Sequence, residues 1–190
     1  AKNALLQGVL NRYVSEEVAQ EILRNPDRNL RLGGESCVVT VMFADISGFT
    51  RFAEEREAPE VIDALNRVFH RLVPIVLERG GTLDKFLGDC IMAFFGAPVP
   101  SERDAEEALR TAWEMQQGFD RLRRRRSSLS ELGLTVGLAT GDVVVGNVGS
   151  ERVMDFTVIG ATTNLAKRLQ ELAPWDQVLM DQRTRDAVGG

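Results

Sequence analysis

A single histidine, one tyrosine and two cysteines are all that this 190-residue chain holds of those types, and it has no long apolar run. One His and no Cys pair at ligand spacing remove the usual donor set of a zinc site. The apolar stretch Cys37–Ala44 is far short of the ~20 residues that a membrane helix needs. Neither a span nor a signal peptide is read here. Positive charge is not in excess either: Lys plus Arg is 23 against 28 for Asp plus Glu, a net charge of −5. That balance excludes a general nucleic-acid or anionic-membrane binder. Phosphate chemistry, if present, must rest on local cations or metal ions. The Gly146-Asn147-Val148-Gly149 run fits neither a dinucleotide nor a P-loop fingerprint. What remains is an ordinary globular composition, 44% hydrophobic and 27% charged. Cys37 and Cys90 both lie in apolar runs, where a free thiol packs as a small hydrophobe; this fits a reducing, cytoplasmic setting.

Residues 1–34 read differently from the rest. Leu6, Leu10 and Tyr13, then Val14, Val18 and Ile22, recur at helical spacing, so two short amphipathic helices are expected there. They form either a connector to an upstream sensory module or a packing arm, ahead of one domain over 35–190. Within that domain Cys37–Ala44 is a buried strand. A helix begins near Phe49, and another runs from Pro59 to Arg79 with a kink expected at Pro74. Thr82–Phe86 and Cys90–Phe95 form a hairpin around Leu87-Gly88-Asp89. Ser101–Asp104 caps a helix with Trp113 and Phe119 on its core stripe. Arg123–Arg126 closes that helix as a solvated basic end. Leu134–Thr140 and Val143–Val148 read as a second hairpin around Gly141-Asp142. Phe156–Ile159 (strand), Thr162–Leu172 (helix) and Gln177–Met180 (strand) follow. The order predicts an α+β, ferredoxin-like βααββαβ core, with helices packed on a mostly antiparallel sheet.

Three constellations could carry chemistry. Asp45 ends a buried strand and precedes a small-residue turn into a helix, which sets a metal-ligating carboxylate beside free N–H groups suited to phosphate; an N-cap role explains it equally well. Asp89 sits in the hairpin turn. If that hairpin pairs with the first strand, neighbours lie ~4.8 Å apart and the two carboxylates can share metal ions; a plain turn residue is the equal alternative. Asn164 and Arg168, four apart, project from one helix face and can converge on one ligand or form a surface pair. His70 is set aside as a surface or packing residue, and Asp142, Asp155 and Asp181 as turn or strand-end residues; Trp175, in a loop after Pro174, stays open between core packing and cofactor stacking.

The runs Phe43–Thr50, Gly80–Asp89 and Asp155–Leu169 resemble the catalytic domain of class III adenylate and guanylate cyclases. The three motifs stand in the family's order between residues 35 and about 181. The resemblance implies a lyase of cyclic-nucleotide signalling, with sites shared between two protomers of a head-to-tail homodimer. Asp45 and Asp89 match the aspartates that bind two Mg²⁺ or Mn²⁺ ions, with the Ile46 carbonyl as a further ligand. The backbone of Ile46, Ser47, Gly48, Phe49 and Thr50 matches the phosphate-binding segment, and Asn164 and Arg168 the pair that orients the ribose and steadies the transition state. Lys85 and Thr157 match the purine-reading pair; Thr157 stands where many relatives carry Asp, which marks a largely bacterial subgroup of adenylate cyclases. Adenine offers an acceptor at N1 and a donor at its amino group, which a Lys ammonium and a Thr oxygen answer; guanine reverses both. ATP is the expected substrate. Guanylate cyclisation and a silent nucleotide-binding regulatory domain are the alternatives, whereas the Gly-Gly-Asp/Glu-Glu-Phe signature of diguanylate cyclases is absent from the sequence. Relatives also carry a final hairpin with a triphosphate-binding Lys, which residues up to Gly190 do not include.

Overall fold

The structure, a computed structural model, describes Arg24, residues 33–150 and residues 154–189. The two helices expected before residue 34 lie, Arg24 aside, outside the described residues. In chain order the elements are β1 (Gly33–Ser47), α1 (Phe49–Glu54), α2 (Ala58–Glu78), β2 (Thr82–Leu87), β3 (Cys90–Phe95), α3 (Asp104–Arg125), β4 (Gly133–Gly149), β5 (Met154–Ile159), α4 (Ala161–Leu172), β6 (Val178–Met180) and α5 (Gln182–Ala187). The first seven reproduce the expected βααββαβ order.

The sheet runs β2-β3-β1-β4-β5, antiparallel throughout, with β6 added parallel to β4. β1 is central and is covered on both faces, which is why Val39 through Ala44 form an unbroken buried run instead of alternating. Met42, Ala44 and Ile46 pack against Val68 and Leu72 of α2 and Ala112 and Met115 of α3. Val39, Val41 and Phe43 face the other way, in one cluster with Ala166 of α4. Arg79 fastens α2 to α3 by pairing with Glu107 at 2.9 Å and with Glu114.

Three expectations are corrected. Gly141-Asp142 is not a turn: β4 continues straight through it, paired with β1 from Ser47↔Gly133 to Gly33↔Asn147. Gly141 is there for close approach, since a Cβ would stand 2.3 Å from Thr162 Oγ1. Trp113 is not core but 61% exposed, while Phe119 on the same helix is buried. Arg123 is not solvated; it bonds Asp120 at 3.0 Å, Asp176 at 2.8 Å and the Leu132 carbonyl at 3.2 Å. By contrast, Asp181 has the backbone role expected of it, capping α5 by accepting from Thr184 N–H at 2.9 Å.

Helix α4 lies on β4 through its buried Thr162, Ala166 and Gln170. A Cβ at Gly137 would meet the Ala166 carbonyl at 2.2 Å and the Gln170 nitrogen at 2.3 Å, both backbone atoms that cannot swing away. Gly137→Ala is therefore expected to lift α4 off the sheet, lowering stability by about 1–3 kcal/mol, as read by thermal or urea unfolding.

Candidate active site

The C-terminal end of β1 makes the first cluster. Asp45 pairs in register with Cys90, so Asp89, one residue earlier in the β2–β3 turn, is carried to the same place. Both aspartates are half-buried. Burial, and then the Asp45 charge, hold the Asp89 carboxyl above the ordinary carboxylate value; its own backbone N–H and Lys167 pull the other way. The neighbouring Cys90 thiol is pushed up to about 12 by burial and the Asp45 charge, which makes it an inert packing group. Two like charges in a partly desolvated corner repel one another, and hard divalent cations relieve such a pair. Among the described residues no group of three or more His, Cys, Asp or Glu side chains is placed to hold a metal ion. A cation here therefore draws its remaining ligands from backbone carbonyls such as that of Ile46, from water or from substrate oxygens.

The chain then turns at Gly48, whose φ of +83° favours glycine and whose missing Cβ leaves room for the Trp175 ring, 2.9 Å from where that atom would stand. Ser47 Oγ donates to Thr135 Oγ1 at 3.5 Å. Phe49 and Phe52 bury their rings, 5.6 Å apart, and anchor α1. Thr50 is exposed. The first-turn N–H groups of α1 have no intrahelical acceptor and are free to meet anionic oxygens.

The second cluster forms where β2 and β5, the outermost strands of the five-strand order, come together. Thr157 donates to Asp84 Oδ2 at 2.6 Å, the Val158 N–H donates to the same oxygen at 3.4 Å, and Lys85 Nζ reaches Asp155 Oδ2 at 3.2 Å. A register shift between Leu83 and Lys85 makes Asp84 the extra residue of a β-bulge. Leu83 packs with the helix-side core and Phe86 stacks on Phe69 of α2, ring centroids 4.4 Å apart. Asp84 and Lys85, between them, both reach toward β5. Burial lowers the Lys85 pKa, but Asp155 and Asp84 outweigh it, leaving the ammonium above its ordinary value. Burial raises that of Asp84, only partly offset by Thr157, Lys85 and the Val158 N–H.

The third element is the exposed face of α4. The side chains of Asn164 and Arg168 are exposed and have no hydrogen-bond or ion-pair partner among the described residues.

The structure thus brings Asp45 to Asp89 and Lys85 to Thr157, and keeps Asn164 and Arg168 together on one helix. Of α4, it is Lys167, next to Arg168 in the chain, whose charge acts on Asp89. A cavity of about 470 Å³ lined by Phe52, Arg56, Asp63, Arg67, Arg126 and Leu129 shares with these clusters only the Phe52 ring that anchors α1. Sequence reasoning missed Asp84, Asp155 and Lys167. Asp84 and Lys167 stand inside the motifs quoted above, but only the bulge and the α4 packing reveal what they touch. Asp155, set aside as a strand-end residue, is an ion-pair partner of Lys85.

The fold defines the class first: an α+β domain of helices packed on a mostly antiparallel sheet, with two carboxylates brought together beside the end of its central strand. The chain belongs to the adenylate and guanylate cyclase catalytic domain family, whose model matches residues 34–189. It is 33% identical over 187 residues to the terminal-differentiation specific adenylate cyclase of Dictyostelium discoideum, covering 97% of this chain and 9% of that protein. The chain thus spans a small part of that relative's length. Among solved structures, the guanylyl cyclase Cya2 matches with a TM-score of 0.80 at 34% identity, over 84% of this chain and 82% of that one. The adenylyl cyclase CyaB from P. aeruginosa matches with a TM-score of 0.78 at 36% identity, over 83% of each.

Because burial and Asp45 raise the Asp89 pKa, the folded metal-free protein binds a proton there more tightly than the unfolded chain does. The stability that this one group contributes is therefore present below the ordinary carboxylate value and is lost as pH rises through the folded one. Asp89→Asn is expected to raise the melting temperature in EDTA at neutral pH by on the order of 1–2 °C. Added Mn²⁺ is expected to stabilise the wild type and not the variant, measured by calorimetry.

Proposed function

We propose that this chain is an adenylate cyclase domain that converts ATP to 3′,5′-cyclic AMP and pyrophosphate at sites completed by two copies of the chain. The observation that carries the reading is the division of the machinery within one chain. Asp45 and Asp89 meet at the end of β1, Lys85 and Thr157 form their own cluster across β2 and β5, and Arg168 stands on the exposed face of α4 with no partner among the described residues. In this reading no single copy presents all the groups to one nucleotide. A head-to-tail pair would set Asp45 and Asp89 of one copy against Lys85, Thr157, Asn164 and Arg168 of the other.

In this reading Asp45, Asp89 and the Ile46 carbonyl hold two Mg²⁺ or Mn²⁺ ions. Such ions, when bound, acidify the ribose 3′-hydroxyl and neutralise the triphosphate. The backbone from Ile46 to Thr50 steadies the phosphate oxygens. Asn164 orients the ribose so that its oxygen lies in line with the α-phosphorus and the departing pyrophosphate. Arg168 presents a planar fork of donors where charge grows on the α-phosphoryl oxygens, an effect that strengthens as the closed cleft excludes water. Lys85 donates to adenine N1 and Thr157 accepts from the amino group. Since solved relatives of similar closeness include both an adenylyl and a guanylyl cyclase, the case for ATP rests on the polarity of Lys85 and Thr157. A guanylate site calls for an acceptor where Lys85 stands, and the mismatch costs ~1–3 kcal/mol per unpaired buried group. We read the domain as cytoplasmic and driven by an upstream sensory module; among the described residues no helix is long and apolar enough to cross a membrane.

Asp45→Ala and Arg168→Ala are each expected to lose roughly 100-fold or more in cyclic AMP production. Mixed in equal amounts, they should recover about a quarter of the wild-type rate, because half of the dimers then hold one intact site. A silent mixture overturns the shared site. Nucleotide binding without any cyclic product from the wild type favours the regulatory alternative.

A further inference from the structure

We infer that Asp84 is a specificity-setting residue, which fixes the direction of the Thr157 hydroxyl and so decides which purine edge the site accepts. The inference rests on the assignment of Lys85 and Thr157 as purine readers and extends it to a residue that touches no base.

The side chain of Asp84 has no exposed surface, and Oδ1 has no hydrogen-bond donor apart from the Lys85 ammonium 3.4 Å away. Its other oxygen accepts from the Thr157 hydroxyl at 2.6 Å and from the Val158 N–H at 3.4 Å. Two of these neighbours, the Lys85 ammonium and the Val158 N–H, can only donate, which is the environment of an ionised carboxylate. A carboxylate cannot donate, so the one proton of the Thr157 hydroxyl is committed to Asp84. What Thr157 can then offer a ligand is lone pairs alone. A free threonine hydroxyl rotates and answers a carbonyl or an amino group equally; one locked on Asp84 accepts only. An exocyclic amino group, as on adenine, satisfies it. A carbonyl at the same ring position, as on guanine, meets oxygen against oxygen.

Asp84 acts on Lys85 at the same time. Together with Asp155, it holds the ammonium charged and therefore a donor in every state that matters. The bulge makes the arrangement possible, because in an unbroken strand Asp84 and Lys85 would face opposite sides.

The test compares wild type, Asp84→Ala, Thr157→Val and the double variant, with ATP and GTP in parallel. Two readouts are taken: kcat/KM for cyclic product with Mn²⁺, and equilibrium binding of each nucleotide with Ca²⁺ in place of the catalytic metal. Asp84→Ala is expected to reduce the ATP-over-GTP preference by about ten- to a hundred-fold, chiefly by admitting GTP. The same substitution should change nothing further in the Thr157→Val background. Equal losses for both nucleotides mean a purely structural role and overturn the inference. So does a preference shift that persists at full size without the Thr157 hydroxyl. If Asp84→Ala does not fold, Asp84→Ser, whose short side chain leaves a freely orienting water against Thr157, reads the same ratio. Failure of the cyclase reading is separable: turnover is then absent in the wild type, while the binding preference still reports on Asp84.

Discussion

The site depends on β1 having only one way to lie. Six consecutive residues, Val39 to Ala44, are buried on both faces of the sheet. A shift of one residue would exchange Met42 and Ala44, packed under α2 and α3, with Val41 and Phe43, packed under α4. That exchange is sterically forbidden in a core of native density. Register is therefore fixed, and with it the position of Asp45 opposite Cys90. The repulsion between Asp45 and Asp89 is imposed by the hydrophobic contacts of the strands that deliver them. The core supplies the energy that sets the two like charges side by side.

The outer strands solve a different problem. A hairpin whose turn presents Asp89 also carries Lys85 four residues earlier, and the two must serve different ends of a nucleotide. The bulge at Asp84 separates them by turning Lys85 toward β5 while Asp89 stays with β1. Arg168 stands on the exposed face of α4. Arg123 and Arg79 show the contrast, since both are pinned by carboxylates and knit elements together. Arg168 has no such partner among the described residues, so its charge is available to something outside this chain.

Much of this was legible in the residues. The apolar run of β1, the hairpin around Gly88 and the helix carrying Asn164 and Arg168 follow from local pattern, and the positions of Asp45 and Asp89 follow from them. What could not be read depends on partners distant in sequence. Gly141-Asp142 looks like a turn because a glycine needed for close approach and one needed for a turn are the same letter; only Thr162 lying over β4 tells them apart. Trp113 shares a helix with core residues, yet falls on the edge of the stripe and stays 61% exposed. The bulge is a property of the pairing between β2 and β3, not of β2 alone, and hence Asp84 looked like any polar residue ahead of a lysine.

The same dependence explains why specificity in such a site need not reside in the atoms that touch the substrate. A threonine hydroxyl carries no fixed polarity, and a site that relied on it alone would discriminate weakly between an amino group and a carbonyl. Polarity has to be imported from a group that cannot itself reverse. An ionised carboxylate surrounded by three donors meets that requirement, and burial of Asp84 keeps water from substituting for it. Desolvating that carboxylate has a cost, visible in its raised pKa, and the β2–β3 and β4–β5 ladders sustain it. The energy of strand pairing is in this way converted into the orientation of one hydroxyl proton.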